Sequence, residues 1–145
     1  MKERKTMPFD KNFVPALRFA VMSDIHIDDE DCIEEQRFAK ALDDLKNLCS
    51  SDERYSGFDA LVIVGDFASR GSEIQMRKVK KILDTGLPAD VRLIMTMASH
   101  EYMTDGEENA LRRFDEIFGL TPDTHAAING FDFIAVTTTR GCHFD

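Results

Sequence analysis

Chemically active side chains follow three apolar runs of this sequence. Asp24 and His26 come after the first run, Asp66 after the second, and His100 with Glu101 after the third. Carboxylate oxygen combined with imidazole nitrogen suits manganese, iron or zinc. Two such ions can activate a water molecule and stabilise the attacking and leaving oxygens of a phosphoryl displacement. These residues therefore indicate metal-dependent hydrolysis of a phosphoester.

The residue types and their spacing suggest a role for each position. Asp24 and His26 are two residues apart, so both side chains project to one side of an extended segment and can turn toward the same ion. Asp66 has two oxygens and can bridge two ions. His100 can protonate a leaving alkoxide, because imidazole titrates near neutral pH, and Glu101 can line the pocket or belong to a loop surface. Each aspartate alone would fit a turn or a helix cap equally well.

The three apolar runs are predicted β-strands, over residues 17–22, 60–64 and 91–97. Amphipathic helical patterns separate them, which gives the order β-α-β-α-β-α and requires a parallel sheet with right-handed crossovers. The carboxyl ends of parallel strands lie along one rim, where such folds bind their ligands. The motifs that follow the strands are therefore expected to form a single site.

Capping residues mark the predicted helix boundaries. Asp31 with Glu34, and Ser72 with Gln75, have the spacing of capping boxes at helix starts. The last helix is predicted to end at Gly119, because glycine adopts the left-handed conformation of a C-terminal cap. These signals predict one helix after each of the three strands.

The pattern changes after the third helix. Asn129-Gly130 lies between apolar segments and is a strong signal for a β-hairpin, and residues 131–139 are predicted to form a strand. The predicted fold is α/β, a parallel βαβαβα unit followed by a β-hairpin. Residues 1–15 are predicted to be a polar N-terminal tail, and residues 16–145 a single domain.

Composition restricts the classes of partner. The chain has 145 residues, a formal net charge of −9 and 43% hydrophobic residues, enough for one core. The charge does not indicate a nucleic acid or an anionic membrane as partner, and no stretch is long enough to span a bilayer. The three cysteines lack metal-site spacing and favour a cytoplasmic setting. A phosphorylated small molecule or another phosphoester remains compatible with the charge, since bound cations can reverse its local sign.

The D-x-H, G-D and His-Glu motifs formed by these residues are similar, in type and order, to those of calcineurin-like metallophosphoesterases. The resemblance covers residues 17–139 and implies the first half of a two-sheet β-sandwich flanked by helices. It also implies two divalent ions, manganese, iron or zinc. By this resemblance Asp24 and His26 would bind the first ion, Asp66 would bridge both, and His100 would face the leaving group.

Two further positions are assigned through the resemblance. The third family motif reads G-N-H-E or G-N-H-D, and Ser99 stands where its asparagine binds the second ion. A hydroxyl is usually a weaker ligand than an amide carbonyl, so the second ion is expected to be loosely held or absent. Ala98 replaces the glycine of that motif and would be restricted if the position needed a positive φ. Arg70 resembles the arginine that grips phosphate in the phosphoprotein phosphatase branch, although Ser69 replaces an aspartate of that branch.

The later ligand motifs of the family, a histidine and then G-H-x-H, do not follow in this sequence. The chain is therefore expected to carry about half of a site and one uncovered apolar sheet face, through which it can form a homo-oligomer. Three functions remain open. They are a metal-dependent phosphatase or phosphodiesterase, a catalytically silent or truncated module with partial metal binding, and a plain flavodoxin-like or receiver-like domain that needs one magnesium ion and no histidine.

Overall fold

The structure is a computed structural model that describes residues 13–51 and 57–138. The predicted N-terminal tail, residues 1–15, lies mostly outside these ranges. Within them, no helix has both the length and the apolar character that a membrane crossing requires.

The first three strands form one parallel sheet, as the sequence predicts. β1 (Phe19–Met22), β2 (Ala60–Val64) and β3 (Arg92–Thr96) lie in the order β1-β2-β3. The central strand β2 pairs in parallel with both neighbours. The carboxyl ends of all three strands therefore reach the same rim of the sheet.

Three helices alternate with these strands. α1 (Ile33–Ser51), α2 (Glu73–Gly86) and α3 (Glu107–Phe118) follow β1, β2 and β3 in turn. The capping box at the start of α2 is confirmed, because the Ser72 hydroxyl accepts the Gln75 N–H while the Gln75 side chain accepts the Ser72 N–H. The parallel βαβαβα unit is thus present as predicted.

The start of α1 differs from the prediction by one residue. The helix begins at Ile33, so Cys32 rather than Asp31 occupies the capping position. The Asp31 carboxylate is exposed and lies 3.9 Å from the Lys78 ammonium. Lys78 also donates to the Glu30 carbonyl at 2.7 Å. The helix thus starts one residue later than the capping box at Asp31 predicts, and the Asp31 side chain faces Lys78 of α2, a contact that a local pattern does not contain.

The helices cover one face of the sheet and make the main core. The side chains that form it are apolar and almost fully buried, and they come from both the sheet and the three helices. They include Phe38, Leu42, Leu61, Ile63, Met76, Val79, Leu83, Met95 and Phe114. Such close packing holds the strand ends in fixed positions relative to one another.

The predicted hairpin is confirmed and covers part of the other face. β4 (Thr124–Ile128) and β5 (Phe131–Ala135) pair antiparallel as a separate sheet. Asn129 and Gly130 join them with φ of 52° and 82°, the positive values that a tight two-residue hairpin turn needs. A second, smaller core lies between the sheets and contains Val62, Ile94 and Ala126.

β5 is shorter than the strand predicted over residues 131–139. It ends at Ala135, and residue 139 lies outside the described ranges. The Thr138 N–H and the Thr137 hydroxyl both donate to the Met97 carbonyl. The β-branched pattern continues past Ala135, but the chain there leaves its hairpin partner and bonds to the segment after β3.

An apolar part of this second sheet face remains exposed in the described residues. Phe19, Val21 and Val64 are 50%, 56% and 45% exposed, and no described strand pairs with the outer edge of β1. We therefore expect two copies of the chain to associate through this edge and face.

Val21→Lys should lower the mass measured by light scattering after gel filtration toward that of one chain, because it places a charge on the associating face.

Ile74→Lys is the control for this prediction. Ile74 lies on α2 and is exposed to a similar extent, 57%, but it lies away from β1. This variant should keep the mass of the wild type. A wild type that runs as a monomer at high concentration would contradict the association.

Candidate metal centre

The segments that follow β1 and β2 run side by side at the carboxyl rim of the sheet. The His26 N–H donates to the Asp66 carbonyl at 3.0 Å, and the Ile27 N–H donates to the Phe67 carbonyl at 3.0 Å. The Ser69 N–H donates back to the Ile27 carbonyl at 2.9 Å. The parallel pairing of the strands therefore continues into the loops and fixes His26 relative to Asp66.

Three of the predicted site residues converge at this rim. One ligand atom each of His26, Asp66 and His100 lies within 4.8 Å of the others. All three residues are half-buried, and the two imidazole rings meet edge to face with their centroids 4.6 Å apart. Two imidazole nitrogens and a carboxylate oxygen suit a divalent ion such as manganese, iron or zinc. The donor set therefore fits the metal expected from the sequence.

The backbone is strained where this rim presents its polar side chains. Asp24, His26 and Asp66 have φ of 54°, 52° and 50°, in the left-handed region that residues other than glycine seldom adopt. Such strain costs on the order of 1–3 kcal/mol per residue and is concentrated at functional sites. Three strained residues together are independent support for a functional centre at this position.

A short 3₁₀ helix (Ser99–Tyr102) after β3 presents His100. The His100 N–H donates to Asp66 Oδ1 at 3.1 Å, and His100 Nδ1 lies 2.7 Å from the Ser69 carbonyl oxygen. Because a carbonyl only accepts, Nδ1 carries the proton in this contact, and Nε2 of the neutral ring keeps its lone pair. Nε2 is therefore the nitrogen available to an ion or to a transferred proton.

Glu101 is fully buried and faces three backbone donors. Its Oε2 accepts the N–H groups of Asp66 and Ala98, both at 2.9 Å, and its Oε1 accepts the Ala68 N–H at 3.0 Å. Burial raises the pKa of Glu101 to about 7, while these hydrogen bonds favour the charged form and limit the rise. One carboxylate thus joins the loop after β2 to the loop after β3.

Gly65 and Ala98 bring the same two loops into direct contact. A Cβ on Gly65 would lie 2.9 Å from the Ala98 nitrogen and closer still to the Ala98 methyl group. This close approach gives a packing reason for the glycine of the G-D motif. Ala98 has φ of −128°, an extended conformation. The position therefore needs no positive φ, and alanine is unstrained there.

Asp24 borders the cluster rather than joining it. Its side chain is 67% exposed, and its Oδ1 lies 3.9 Å from His26 Nε2. A cavity of about 580 Å³ opens beside it, lined also by His26 and by apolar side chains that include Phe38 and Ala41. The assignment of Asp24 as a metal ligand stays a prediction.

Arg70 and Ser99 are both exposed near this rim. The backbone of Arg70 is held on both sides, because its N–H donates to Gln75 Oε1 at 2.8 Å and its carbonyl accepts the Thr104 hydroxyl at 2.7 Å. Ser99 is the first residue of the 3₁₀ helix. Their roles as phosphate-binding residue and metal ligand stay predictions, but Arg70 extends from a rigid loop.

Glu101 is the residue of this site whose role the sequence did not reveal. The sequence left it between pocket lining and loop surface, whereas the structure buries it among backbone donors. The available signal was its position directly after His100, in the motif that follows β3. A local pattern cannot show that two N–H groups of the loop after β2, those of Asp66 and Ala68, converge on its carboxylate.

Fold and site together define a mixed α/β protein with a candidate metal centre at its strand ends. The family model for calcineurin-like phosphoesterases matches residues 17–143. The chain therefore belongs to the calcineurin-like phosphoesterase family, whose members are metal-dependent phosphoester hydrolases, and the resemblance inferred from its motifs is confirmed. No curated protein matches the chain.

Proposed function

We propose that this domain hydrolyses phosphate esters where His26, Asp66 and His100 meet. The observation that carries the proposal is the approach of their ligand atoms to within 4.8 Å, in a chain of the calcineurin-like phosphoesterase family. Two divalent ions are proposed for this centre, manganese, iron or zinc by ligand type, and when bound they would supply a polarised water and neutralise phosphate charge.

Each protein group at the rim has a separate role in this mechanism. His26 and Asp66 would hold an ion, and Asp24 would add a second carboxylate beside His26. The bond from the His100 N–H to Asp66 Oδ1 keeps the catalytic histidine at the same centre. Because the Ser69 carbonyl holds His100 Nδ1, Nε2 is the atom that takes up a proton and passes it to the leaving oxygen.

Arg70 and the neighbouring cavity serve the substrate. An exposed guanidinium on a firmly held backbone suits bidentate binding of phosphate oxygens. The cavity of about 580 Å³ beside Asp24 and His26 has the size and apolar lining of a small-molecule site, and it would receive the organic part of the ester. The proposed substrate is therefore a phosphorylated small molecule, and the proposed compartment, from cysteine usage, is the cytoplasm.

Hydrolysis by the purified chain tests the proposal. After loading with Mn²⁺ and gel filtration, the wild type is expected to hydrolyse p-nitrophenyl phosphate or bis-p-nitrophenyl phosphate, and EDTA should abolish the activity. The relative rates on these esters distinguish a phosphatase from a phosphodiesterase. His26→Ala removes a ligand and is expected to lower the rate by about a hundredfold or more.

His125→Ala is the matched control for His26→Ala. His125 is an exposed histidine of β4 that lies 2.7 Å from Asp132, so its removal leaves the rim intact and should leave the rate unchanged. Equal rates in the wild type and in His26→Ala would contradict the proposal. That result, with unchanged metal affinity, would favour the plain α/β domain in which no histidine has a role.

A catalytically silent module with partial metal binding is the second candidate. It is favoured by the 67% exposure of the Asp24 side chain and by the exposed serine at position 99. Such a module would bind Mn²⁺ and lose it in His26→Ala, but it would hydrolyse neither ester. Metal content measured beside the rate separates the candidates, since about two ions with turnover indicate the hydrolase and one ion without turnover indicates the module.

A further inference from the structure

Glu101 lies at the centre of the contact between the loops after β2 and β3. It is fully buried, and its carboxylate receives its three hydrogen bonds from backbone N–H groups. Two of these donors, Asp66 and Ala68, belong to the loop after β2, and the third, Ala98, belongs to the loop after β3. A side chain in this position controls how the two loops lie against each other.

The hydrogen bonds of Glu101 and Asp66 form a closed ring. Glu101 Oε2 accepts the Asp66 N–H at 2.9 Å, and Asp66 Oδ1 accepts the N–H of His100 at 3.1 Å. His100 directly precedes Glu101 in the chain. Asp66 has the strained φ of 50°, so relaxation of its backbone would break the first bond and move its carboxylate away from His100.

We propose that Glu101 is a positioning residue of the metal centre, which holds Asp66 in its strained conformation and so directs the Asp66 carboxylate toward His26 and His100. This proposal rests on the proposed function for the identity of the bound metal ion. The contact between the two loops does not depend on that function, because the hydrogen bonds of Glu101 show it directly. Groups that orient metal ligands without touching the ion typically change metal affinity 10- to 100-fold when they are removed.

Glutamine is the sharpest replacement at this position. Its single amide oxygen can accept the N–H groups of Asp66 and Ala98, but its NH₂ group would then face the Ala68 N–H, donor against donor. The substitution therefore keeps the shape of the side chain and removes its hydrogen bond to the Ala68 N–H in the loop after β2.

Mn²⁺ affinity of the folded protein, measured by electron paramagnetic resonance, is the first test. Glu101→Gln is expected to weaken binding about 10- to 100-fold. Leu42→Ala, which truncates a buried side chain on α1, destabilises the fold away from the rim and should leave the affinity of the folded fraction nearly unchanged. In an Asp66→Asn background, Glu101→Gln should add little further loss, because both changes act through one carboxylate.

Amide hydrogen exchange in the metal-free protein is the second test. Glu101→Gln should speed exchange at Asp66, Ala68 and Ala98, whereas Leu42→Ala should not act selectively on these amides. If Glu101→Gln does not fold, Glu101→Asp keeps the charge, shortens the reach and should show the same selective change.

The outcomes separate this proposal from the proposed function. Unchanged exchange and unchanged affinity in a folded Glu101 variant would overturn the positioning role, as would equal losses of affinity in Glu101→Gln and Leu42→Ala. A wild type that binds no Mn²⁺, combined with selectively faster exchange in Glu101→Gln, would contradict the proposed function and still support the role of Glu101 in holding Asp66.

Discussion

Asp66→Asn is expected to lower the rate of metal-dependent ester hydrolysis by more than about a hundredfold. Asparagine has nearly the shape of aspartate, and its amide oxygen can still accept the His100 N–H. The substitution therefore removes the negative charge and leaves the hydrogen bond. The three-residue cluster would then hold no negative charge, so Mn²⁺ should be bound far more weakly and the activity should fall with it.

The size of this effect follows from the number of segments that meet at Asp66. Its carbonyl accepts the His26 N–H, its N–H donates to Glu101, and its Oδ1 accepts the His100 N–H. Asp66 lies in the loop after β2, and the loops after β1 and β3 both bond to it. Because the loops that carry the metal ligands meet at Asp66, a change in its charge affects the whole set of ligands.

Metal content and hydrolysis rate, measured on the same preparations, check the prediction for Asp66→Asn. Asp132→Asn is the control, because Asp132 is exposed on β5 and bonds to His125, so it should keep both metal and rate. Thermal melting should show that Asp66→Asn remains folded. An Asp66→Asn protein that retained the wild-type rate would exclude Asp66 as a bridging ligand.

Gly71→Ala is expected to have the largest effect on stability, a loss of at least about 3 kcal/mol in the free energy of unfolding. A Cβ on Gly71 would lie 2.7 Å from the Glu101 Cα and closer still to the Glu101 carbonyl oxygen. These are backbone atoms, which cannot rotate aside as a flexible side chain would. The loop that carries Arg70 would have to move, and the buried Arg113 would lose its bond to the Gly71 carbonyl.

Urea denaturation of Gly71→Ala beside Gly119→Ala isolates the cost of this contact. Gly71 and Gly119 have similar φ, 69° and 64°, but a Cβ on Gly119 would meet nothing within 4 Å. Gly119→Ala should therefore lose only the cost of left-handed backbone, about 1–2 kcal/mol. Equal losses in the two variants would show that the Gly71 loop can move away from Glu101 at little cost.

The elements that the sequence predicted well are those whose signals are local. Short apolar runs predicted the three strands, Ser72 with Gln75 predicted the start of α2, and Asn129-Gly130 predicted the hairpin turn. Each signal depends on residues within a few positions of one another. Capping bonds, turn conformations and strand faces are decided over that distance, so a pattern in the sequence is enough to recognise them.

The errors in the fold arose where a distant contact replaced a local preference. Asp31 has a good capping spacing, but Lys78, far along the chain on α2, shapes its loop. The pattern of β5 continues beyond Ala135, but there the Thr137 hydroxyl bonds to the Met97 carbonyl and its N–H to the Asp123 side chain, not to the backbone of β4. In both cases the segment contacts residues far along the chain, which a local pattern does not contain.

At the site, the sequence by itself determined which donors are present and that they lie on one rim. Both follow from residue type and from the direction of parallel strands, and they were enough to indicate the family. Only the tertiary structure decided that ligand atoms of His26, Asp66 and His100 come together, and that Glu101 joins the loops through its carboxylate. The reason is that these arrangements depend on hydrogen bonds between residues 34 and 35 positions apart, which exist only once the strands have packed side by side.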